Sequence, residues 1–256
     1  MWIHQKKPLM FWPRVNGVAV DSLKRILILR KGQSEEKGEF YVKKLRHLFE
    51  ITDPMMRDRT VLDIGSIGHH FEERRREGTF YLEHFSDLAA YAKGIDILTD
   101  AVSKAQAAGF NVEVGNAETF TDDRQYDVIF AGELIEHVNN AGNFLDSSHR
   151  NLKTEGVLIL TTPNAFSIAH ISKSILSLTN EPPVNNEHTC YYTPQTLRQL
   201  VERRGFKIDK IFYQDYDYGN RKHSPQKKLA LKFNATLSSL FPQFSQSFIA
   251  VLKKTH

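Results

Sequence analysis

The chain has 256 residues, of which 41% are hydrophobic and 25% are charged, a composition typical of one well-buried globular domain with embellishments. This length excludes two full-sized domains, and no run approaches the roughly 20 apolar residues of a membrane span. The N-terminal sequence MWIHQKKPLM lacks the apolar core of a signal peptide, so we expect a cytoplasmic enzyme. The single Cys190 excludes an internal disulfide and a paired-cysteine metal site.

The net charge of +4 is unevenly distributed along the chain. Residues 1–60 carry 13 Lys and Arg against 7 Asp and Glu (+6), residues 61–205 carry 12 against 20 (−8), and residues 206–256 carry 9 against 3 (+6). Two basic ends indicate an anionic partner such as a nucleic acid, a lipid headgroup or a phosphorylated sugar carrier. The alternative is an ordinary solvated surface, because the basic residues form no tract and acids interrupt them.

The elements in chain order begin with a helical or irregular extension over 1–60, in which EFYVKKLRHLFE (39–50) is predicted to be helical. From residue 61 onward, short β-rich runs alternate with helical patterns, which is typical of an α/β domain with a mostly parallel sheet. The predicted strands are 61–64, 94–97, 111–114, 126–131, 156–162, 206–213 and 247–253.

Two predicted helices have clear end signals. Thr193 and Pro194 begin the helix 194–204, which Gly205 ends, and Asn139 or Asn140 caps the helix 141–153. Two further helical segments, within 165–179 and 227–241, predict cover insertions at about 165–190 and 218–245. The second segment is either a helix packed on the sheet or a lipid-facing amphipathic lid, which is compatible with peripheral membrane contact.

Polar residues and glycines recur at the carboxyl ends of the predicted strands, where open α/β sheets bind ligands. The turn VLDIGSIGHH (61–70) places Asp63, Gly65 and Gly68 after the first strand of the domain. Asp96 ends the next strand, the triplet 116–118 (NAE) follows the third, and the pair 132–133 (GE) follows the fourth. This series predicts a single ligand site along one edge of the sheet.

The ordered motifs VLDIG, GID, NAE, YDVIFAGELIEHV and LKTEGVLILTTPN resemble those of class I S-adenosylmethionine-dependent methyltransferases over about residues 61–213. The resemblance implies a Rossmann-like three-layer sandwich whose seven-stranded, mostly parallel sheet contains one antiparallel strand. It implies S-adenosylmethionine as the cofactor and 61–256 as the methyltransferase domain. The implied cofactor-binding residues are Asp63, Gly65, Gly68, Asp96, Ala117, Glu118 and Gly132.

Each implied role has a chemical reason. Gly65 lets the backbone approach the methionine moiety, Asp96 accepts from the two ribose hydroxyls, and Ala117 and Glu118 lie beside the adenine. Asp63 orients the turn or reaches the methionine ammonium through water.

The glycine turn also departs from the family pattern. Ile67 and His69 stand where the family has further glycines, and 33 residues separate Asp63 from Asp96, against roughly 20 in a compact unit. The inserted sequence HHFEERRREGTFYLEH predicts an added turn or short helix near the cofactor mouth, with His69 and His70 on its surface. The missing glycines argue against a dinucleotide-binding dehydrogenase, which needs bare backbone at several points.

The sequence GELIEHV contains the second candidate site. Glu133, Glu136 and His137 are spaced to share one side of a helical turn, and His188 follows 51 residues after His137. This pattern is similar to the metal site of small-RNA 3′-terminal 2′-O-methyltransferases, and to sequences of ubiquinone-biosynthesis and sugar methyltransferases.

Three interpretations of this cluster stay open. Glu133 lines the cofactor pocket while Glu136 and His137 form a structural pair; His137 is a general base, with Glu133 as a second catalytic residue; or all four residues bind a divalent metal.

The function that these observations favour is S-adenosylmethionine-dependent O-methylation of a sugar, a glycan precursor or another small metabolite. The alternatives are an RNA 2′-O-methyltransferase, which the basic ends favour, and a scaffold subunit that has lost its cofactor. No aromatic-basic module for RNA binding is evident in the sequence. The sequence leaves the acceptor and the oligomeric state open.

Overall fold

The structure, a computed structural model, describes residues 43–44, 47–176, 185–216 and 224–255. Parts of the two predicted covers (177–184 and 217–223) and most of the predicted N-terminal extension lie outside these ranges. Among the described residues, no helix is both long enough and apolar enough to cross a membrane.

The described strands form one sheet with the order β1-β7-β8-β6-β5-β2-β3-β4. β8 is antiparallel to its neighbours β6 and β7, and the other pairs are parallel. This arrangement confirms the predicted α/β fold with seven main strands, of which one is antiparallel. The strands are β1 (Lys43–Lys44), β2 (Thr60–Ile64), β3 (Tyr91–Asp96), β4 (Val112–Val114), β5 (Tyr126–Gly132), β6 (Leu152–Pro163), β7 (Phe206–Gln214) and β8 (Ser247–Lys254).

The two-residue strand β1 was not expected. Lys43 and Lys44 pair in parallel with Phe212 and Tyr213 of β7, at the edge of the sheet. The prediction of one continuous helix over 39–50 is therefore wrong, and the described helix begins only at Phe49. Pairing with an open sheet edge has outweighed the weak helical preference of this run.

Helices lie on both faces of the sheet. They are α1 (Phe49–Met56), α2 (Phe71–Arg76), α3 (Tyr81–Leu88), α4 (Thr99–Ala107), α5 (Ala141–Asn151), α6 (Ile168–Leu176), α7 (Pro194–Glu202) and α8 (Pro225–Leu240). Side chains of α5 and α7 pack on one face of β5, around Ile129, whereas α1 and α3 pack on the other face, around Val128 and Phe130. The alternation of buried residues along β5 thus separates two cores, as expected for a buried parallel strand.

The predicted starts of both helices are confirmed, whereas α5 and α7 each end two residues earlier than predicted, at Asn151 and Glu202. The side chain of Asn140 accepts from the amide of Asn143 and caps α5, while Thr193 accepts from the amide of Thr196 and caps α7. Gly205 follows α7 with φ +74°, a left-handed conformation that favours glycine.

The cover helices expose much of their apolar surface. Ile175 of α6 and Leu229, Phe233 and Leu240 of α8 are exposed, although α6 and α8 contact each other. Three of the apolar residues that define the predicted face of α8 are thus open to solvent and not packed on the sheet.

Candidate functional site

A cavity of about 560 Å³ opens at the carboxyl ends of β2, β3 and β5. The structure therefore brings most of the predicted cofactor residues to one place. Those that line the cavity are Gly65, Gly68, Asp96, Ala117, Glu118 and Gly132. Asp63 is not among the lining residues, because its side chain is 2% exposed behind the turn.

The turn after β2 requires glycine at two points. Gly65 has φ +71° and Gly68 has φ +67°, a region that other L-residues adopt only with strain. A Cβ atom added to Gly65 would lie 2.9 Å from Leu134 Cδ1, so the backbone there passes close to the cavity wall. The positive φ values favour glycine at both positions, and the missing Cβ atom at Gly65 also leaves room for the Leu134 side chain.

Asp96 fixes the conformation of this turn. Its Oδ2 accepts from the amides of Ile67 at 3.0 Å and Gly68 at 2.9 Å, while Oδ1 accepts from the amide of Leu98 at 3.0 Å. The carboxylate is only 5% exposed. Asp96 thus organises the turn as well as lining the cavity.

The two departures from the glycine pattern have separate structural reasons. Ile67 is fully buried and packs with Phe71, Phe80 and Val102 in a small third core that the inserted sequence forms with α4. His69 is exposed, and its Nε2 lies 3.4 Å from Glu187 Oε1. The insertion therefore needs a large apolar residue at position 67 as its anchor.

Asp63, which is buried behind the turn, interacts electrostatically with Arg74, which lies beside the turn. Burial raises the pKa of Asp63 to about 7, against the opposing effect of Arg74, and Asp96 raises it further. Arg74, from the insertion, lines the cavity itself, as does Tyr81.

Glu133 follows β5 in an unusual conformation. Its φ is +49°, a left-handed value rarely adopted by a residue with a side chain. Glu133 Oε2 accepts from the Tyr216 hydroxyl at 2.5 Å and Oε1 from the Ser247 hydroxyl at 3.1 Å. Burial raises the pKa of this carboxyl despite those two donors. Strained backbone beside a cavity is typical of functional sites.

Glu136, His137 and His188 converge, and of these three residues His137 lines the cavity. One potential ligand atom from each lies within 4.8 Å of the other two. Glu136 Oε2 accepts from the Thr162 hydroxyl at 2.9 Å, whereas Oε1 is buried and accepts no hydrogen bond from the described residues. Of the four predicted metal ligands, three converge, and Glu133 lies instead with Tyr216 and Ser247.

The surroundings set the protonation of this cluster. Burial, together with the charge of Glu133, raises the pKa of Glu136 to about 8. Burial also lowers the pKa of His137 and His188, which favours neutral imidazoles. A neutral imidazole can accept a proton or ligate a metal.

Thr189 explains how His188 reaches the cluster. The Thr189 amide donates to Glu136 O at 2.7 Å, and its hydroxyl lies 3.0 Å from both Glu136 O and Val138 O. The segment that carries His188 is thereby tied to the loop after β5.

Sequence reasoning missed five residues at the site: Arg74, Tyr81, Glu187, Thr189 and Tyr216. Glu187 lies between two histidines, because its Oε2 is 4.0 Å from His137 Nδ1 and its Oε1 faces His69. Two sequence signals concerned some of these residues. The insertion contains Arg74 and Tyr81, and His188 lies between Glu187 and Thr189 in the sequence. The proximity of Tyr216 to Glu133 depends on the pairing of β7 with β8.

Comparison with known proteins places the chain among methyltransferases. A family model described as a methyltransferase domain matches residues 30–211, more than half of the chain. A ubiquinone biosynthesis O-methyltransferase of Rickettsia bellii is 26% identical over 97 residues, which is 37% of this chain and 40% of that protein. A probable S-adenosylmethionine-dependent methyltransferase of Mycolicibacterium smegmatis is 28% identical over 127 residues, 48% of this chain and 46% of that protein. The chain thus spans less than half the length of these two relatives.

Solved structures share the fold. A methyltransferase of Thermotoga maritima has a TM-score of 0.56 at 13% identity, covering 92% of this chain and 96% of its own. One of Archaeoglobus fulgidus has a TM-score of 0.51 at 20% identity, covering 80% and 91%. At these identities, the likeness establishes the fold alone.

Proposed function

The chain belongs to the S-adenosylmethionine-dependent methyltransferase family, and we propose that it methylates an oxygen of a small hydroxylated acceptor such as a sugar, a glycan precursor or a related metabolite. Membership confirms the family resemblance inferred from the ordered motifs. The choice of oxygen and of acceptor class is the proposal.

The cavity fits the cofactor. The two left-handed glycines, Gly65 and Gly68, both line the cavity, which supports the proposed place of the methionine moiety beside this turn. Asp96, already oriented by three backbone amides, is the proposed ribose acceptor, and Ala117 and Glu118 are the proposed adenine neighbours. Glu118 Oε1 accepts from the Asn139 amide at 2.9 Å, which steadies this side of the cavity. The bound sulfonium supplies an electrophilic methyl group.

The cluster of Glu136, His137 and His188 carries the proposal of an oxygen acceptor. An alcohol must lose a proton as its oxygen is methylated, so the protein has to stabilise or accept that charge beside the cofactor. His137 lines the cavity and is the proposed site of proton removal. Two curated relatives named as O-methyltransferases also support oxygen as the acceptor atom.

As the alternative to a metal-free His137 base, we propose that Glu136, His137 and His188 bind a divalent cation. The buried Glu136 Oε1 has no hydrogen-bond partner among the described residues, and its convergence with two imidazoles supports a cation with mixed oxygen and nitrogen ligands. A cation there would supply Lewis acidity toward the acceptor hydroxyl. Chelation separates this proposal from the metal-free base and from the structural alternative, and the His137→Ala variant then separates the last two.

The proposed acceptor side is formed by the covers at about 165–190 and 218–245 of a 61–256 methyltransferase domain. Exposed Ile175, Leu229 and Phe233 on the described parts of α6 and α8 support contact with an acceptor or a lipid surface.

The test begins with calorimetric binding of S-adenosylmethionine. Methyl transfer from radiolabelled cofactor is then measured to pooled sugars, glycan precursors and phenolic metabolites, with and without a chelator. Product appearing only with amine acceptors would contradict the O-methylation proposal. Absence of cofactor binding would support the scaffold alternative.

RNA 2′-O-methylation is the second candidate. The basic ends of the chain, each with a net charge of +6, favour an anionic substrate. Transfer to the 2′-oxygen of a short RNA, with binding that weakens steeply as salt increases, would replace the small-acceptor proposal.

A further inference from the structure

Arg74 stands out among the residues that line the cavity, because it comes from the insertion and carries a full positive charge beside the glycine turn. We infer that the Arg74 side chain recognises the carboxylate of the methionine moiety of S-adenosylmethionine. This inference rests on the proposed placement of the cofactor. It assigns to the insertion a role that the glycine motif does not supply.

Three hydrogen bonds hold the Arg74 guanidinium and leave further N–H donors for a ligand. Nη1 donates to Ile67 O at 2.7 Å, and Nη2 and Nε donate to Thr79 O at 2.8 Å and 3.2 Å. An arginine has five N–H groups, so these three contacts with described residues leave one N–H on each terminal nitrogen. Those two donors match a carboxylate, the planar anion that arginine binds best.

The neighbours of Arg74 orient it toward the turn. A Cβ atom on Gly68 would lie 3.1 Å from Nη1, so glycine at this position leaves room for the guanidinium. The Arg74 Cζ atom lies 6.0 Å from the centre of the Tyr81 ring, which also lines the cavity. The insertion thus supplies both the charge and the wall beside it.

Arg74 supplies the positive charge at this end of the cavity, because Asp63 is buried and does not line it. Arg74 acts on Asp63 electrostatically, and Asp63 lies buried directly before the turn. An amino-acid group carries an ammonium and a carboxylate on one carbon. Of these two groups, Arg74 therefore complements the carboxylate.

The two arginines that follow have other partners. Arg75 Nη2 donates to Glu83 Oε1 at 3.0 Å, and Arg75 lies 5.0 Å from the Phe110 ring. Arg76 is exposed and lines a separate, shallower pocket. Arg74 is thus the member of this described triplet that faces the cavity, and Arg76 provides a matched control.

The experiment compares two ligands that differ in one group: S-adenosylmethionine and its decarboxylated form. Calorimetry is performed with wild type, Arg74→Gln, Arg74→Lys and Arg76→Gln. We expect wild type and Arg76→Gln to prefer the carboxylated ligand by about tenfold or more, the scale of a charge-assisted hydrogen bond. In Arg74→Gln the preference should fall to within about twofold, and in Arg74→Lys it should lie between.

A purely structural Arg74, acting only through Ile67 and Thr79, gives a different result. Affinity for both ligands then falls by the same factor and the preference survives, which overturns the inference. Should Arg74→Gln fail to fold, a preference in Arg74→Lys equal to wild type overturns it as well. If the wild-type protein binds both ligands with equal affinity, the inference about Arg74 is overturned but the proposed cofactor site stands. If the wild-type protein binds neither ligand, both the inference and the proposed cofactor site are overturned.

Discussion

The pKa values of carboxyl groups are shifted in opposite directions at the two ends of the sheet. At the amino end, Asp127 Oδ2 accepts from the Thr60 amide at 2.9 Å and from Lys153 Nζ at 2.9 Å. Asp122 similarly accepts from Lys93 Nζ at 2.7 Å and the Tyr126 hydroxyl at 2.6 Å. Burial alone would raise the pKa of both aspartates, but these donors lower it to about 2.

At the carboxyl end, burial dominates. It raises the pKa of Asp63 to about 7 and of Glu136 to about 8, and it also raises the pKa of Glu133. One oxygen of Glu136 accepts no hydrogen bond within the described part of the chain, and Glu133 has an uncommon backbone conformation. The amino end therefore contributes stability, whereas the carboxyl end holds buried carboxyl groups with raised pKa values, which are typical of functional sites.

The largest expected effect comes from breaking the cluster at the carboxyl end. His137→Ala should lower turnover by roughly 100-fold or more, because the acceptor hydroxyl loses its site of proton removal, while affinity for S-adenosylmethionine stays unchanged. If a cation is bound, a chelator should abolish turnover and His188→Ala should weaken metal binding, as measured by titration with Mg²⁺ or Mn²⁺. If a chelator leaves wild-type turnover unchanged while His137→Ala lowers it, the result favours a metal-free base.

The exposed His70 provides the control for that experiment. It lies in the same insertion as His69 but does not line the cavity, so His70→Ala should keep wild-type turnover. Full activity in both His137→Ala and His188→Ala would leave the cluster with a structural role only. We expect His137 to matter more than His188, because His137 alone of the two lines the cavity.

The next effect is on cofactor affinity. Asp96→Ala should weaken S-adenosylmethionine binding by about 2–4 kcal/mol, because the ribose hydroxyls lose their acceptor and the amides of Ile67 and Gly68 lose theirs. Calorimetry measures the affinity, and a thermal melt of the free protein measures the damage to the turn. Asp100→Ala, on the neighbouring helix α4, is the control, and unchanged affinity in Asp96→Ala would refute the ribose role.

Much of this arrangement was readable in the sequence. The seven main strands follow from short apolar runs, and the ends of α5 and α7 follow from Asn140, Thr193 and Gly205, because local chemistry determines caps and turns. The ligand edge follows from the rule that the carboxyl ends of parallel strands meet at one side.

The remainder depends on contacts between distant residues. Tyr216 and Glu133 are 83 positions apart, and no local pattern joins them before β8 forms between β6 and β7. The two-residue strand β1 needs the edge of β7, and the burial of Ile67 needs the aromatic core of the insertion. Tertiary context decides all three.

A smaller effect, on stability, follows from Asp63. Its pKa of about 7 in the folded protein lies above the ordinary 3.8, so the folded state binds more protons between these values and stability falls as pH rises through that window. Asp63→Asn removes this titration. From pH 5 to pH 8, wild type should lose about 2–3 kcal/mol relative to the variant, measured by urea unfolding of the ligand-free proteins. A constant difference between the two proteins would contradict the raised pKa.

The smallest effect has the opposite sign and comes from the amino end. The pKa of Asp127 is about 2 in the folded protein, below the ordinary 3.8, so the folded state binds fewer protons between these values. Its stabilising contribution is present above about pH 4 and is lost as pH falls toward 2. We expect Asp127→Asn to destabilise the protein by about 1–2 kcal/mol at pH 7 and progressively less near pH 3, because protonated aspartate and asparagine both lack the charge that Lys153 pairs with. Urea unfolding at both pH values measures the difference. Lys153→Met is the matched variant, since it removes the same ion pair from the other side, and equal effects at pH 3 and pH 7 in both variants would show that the amino end gains nothing from ionised Asp127.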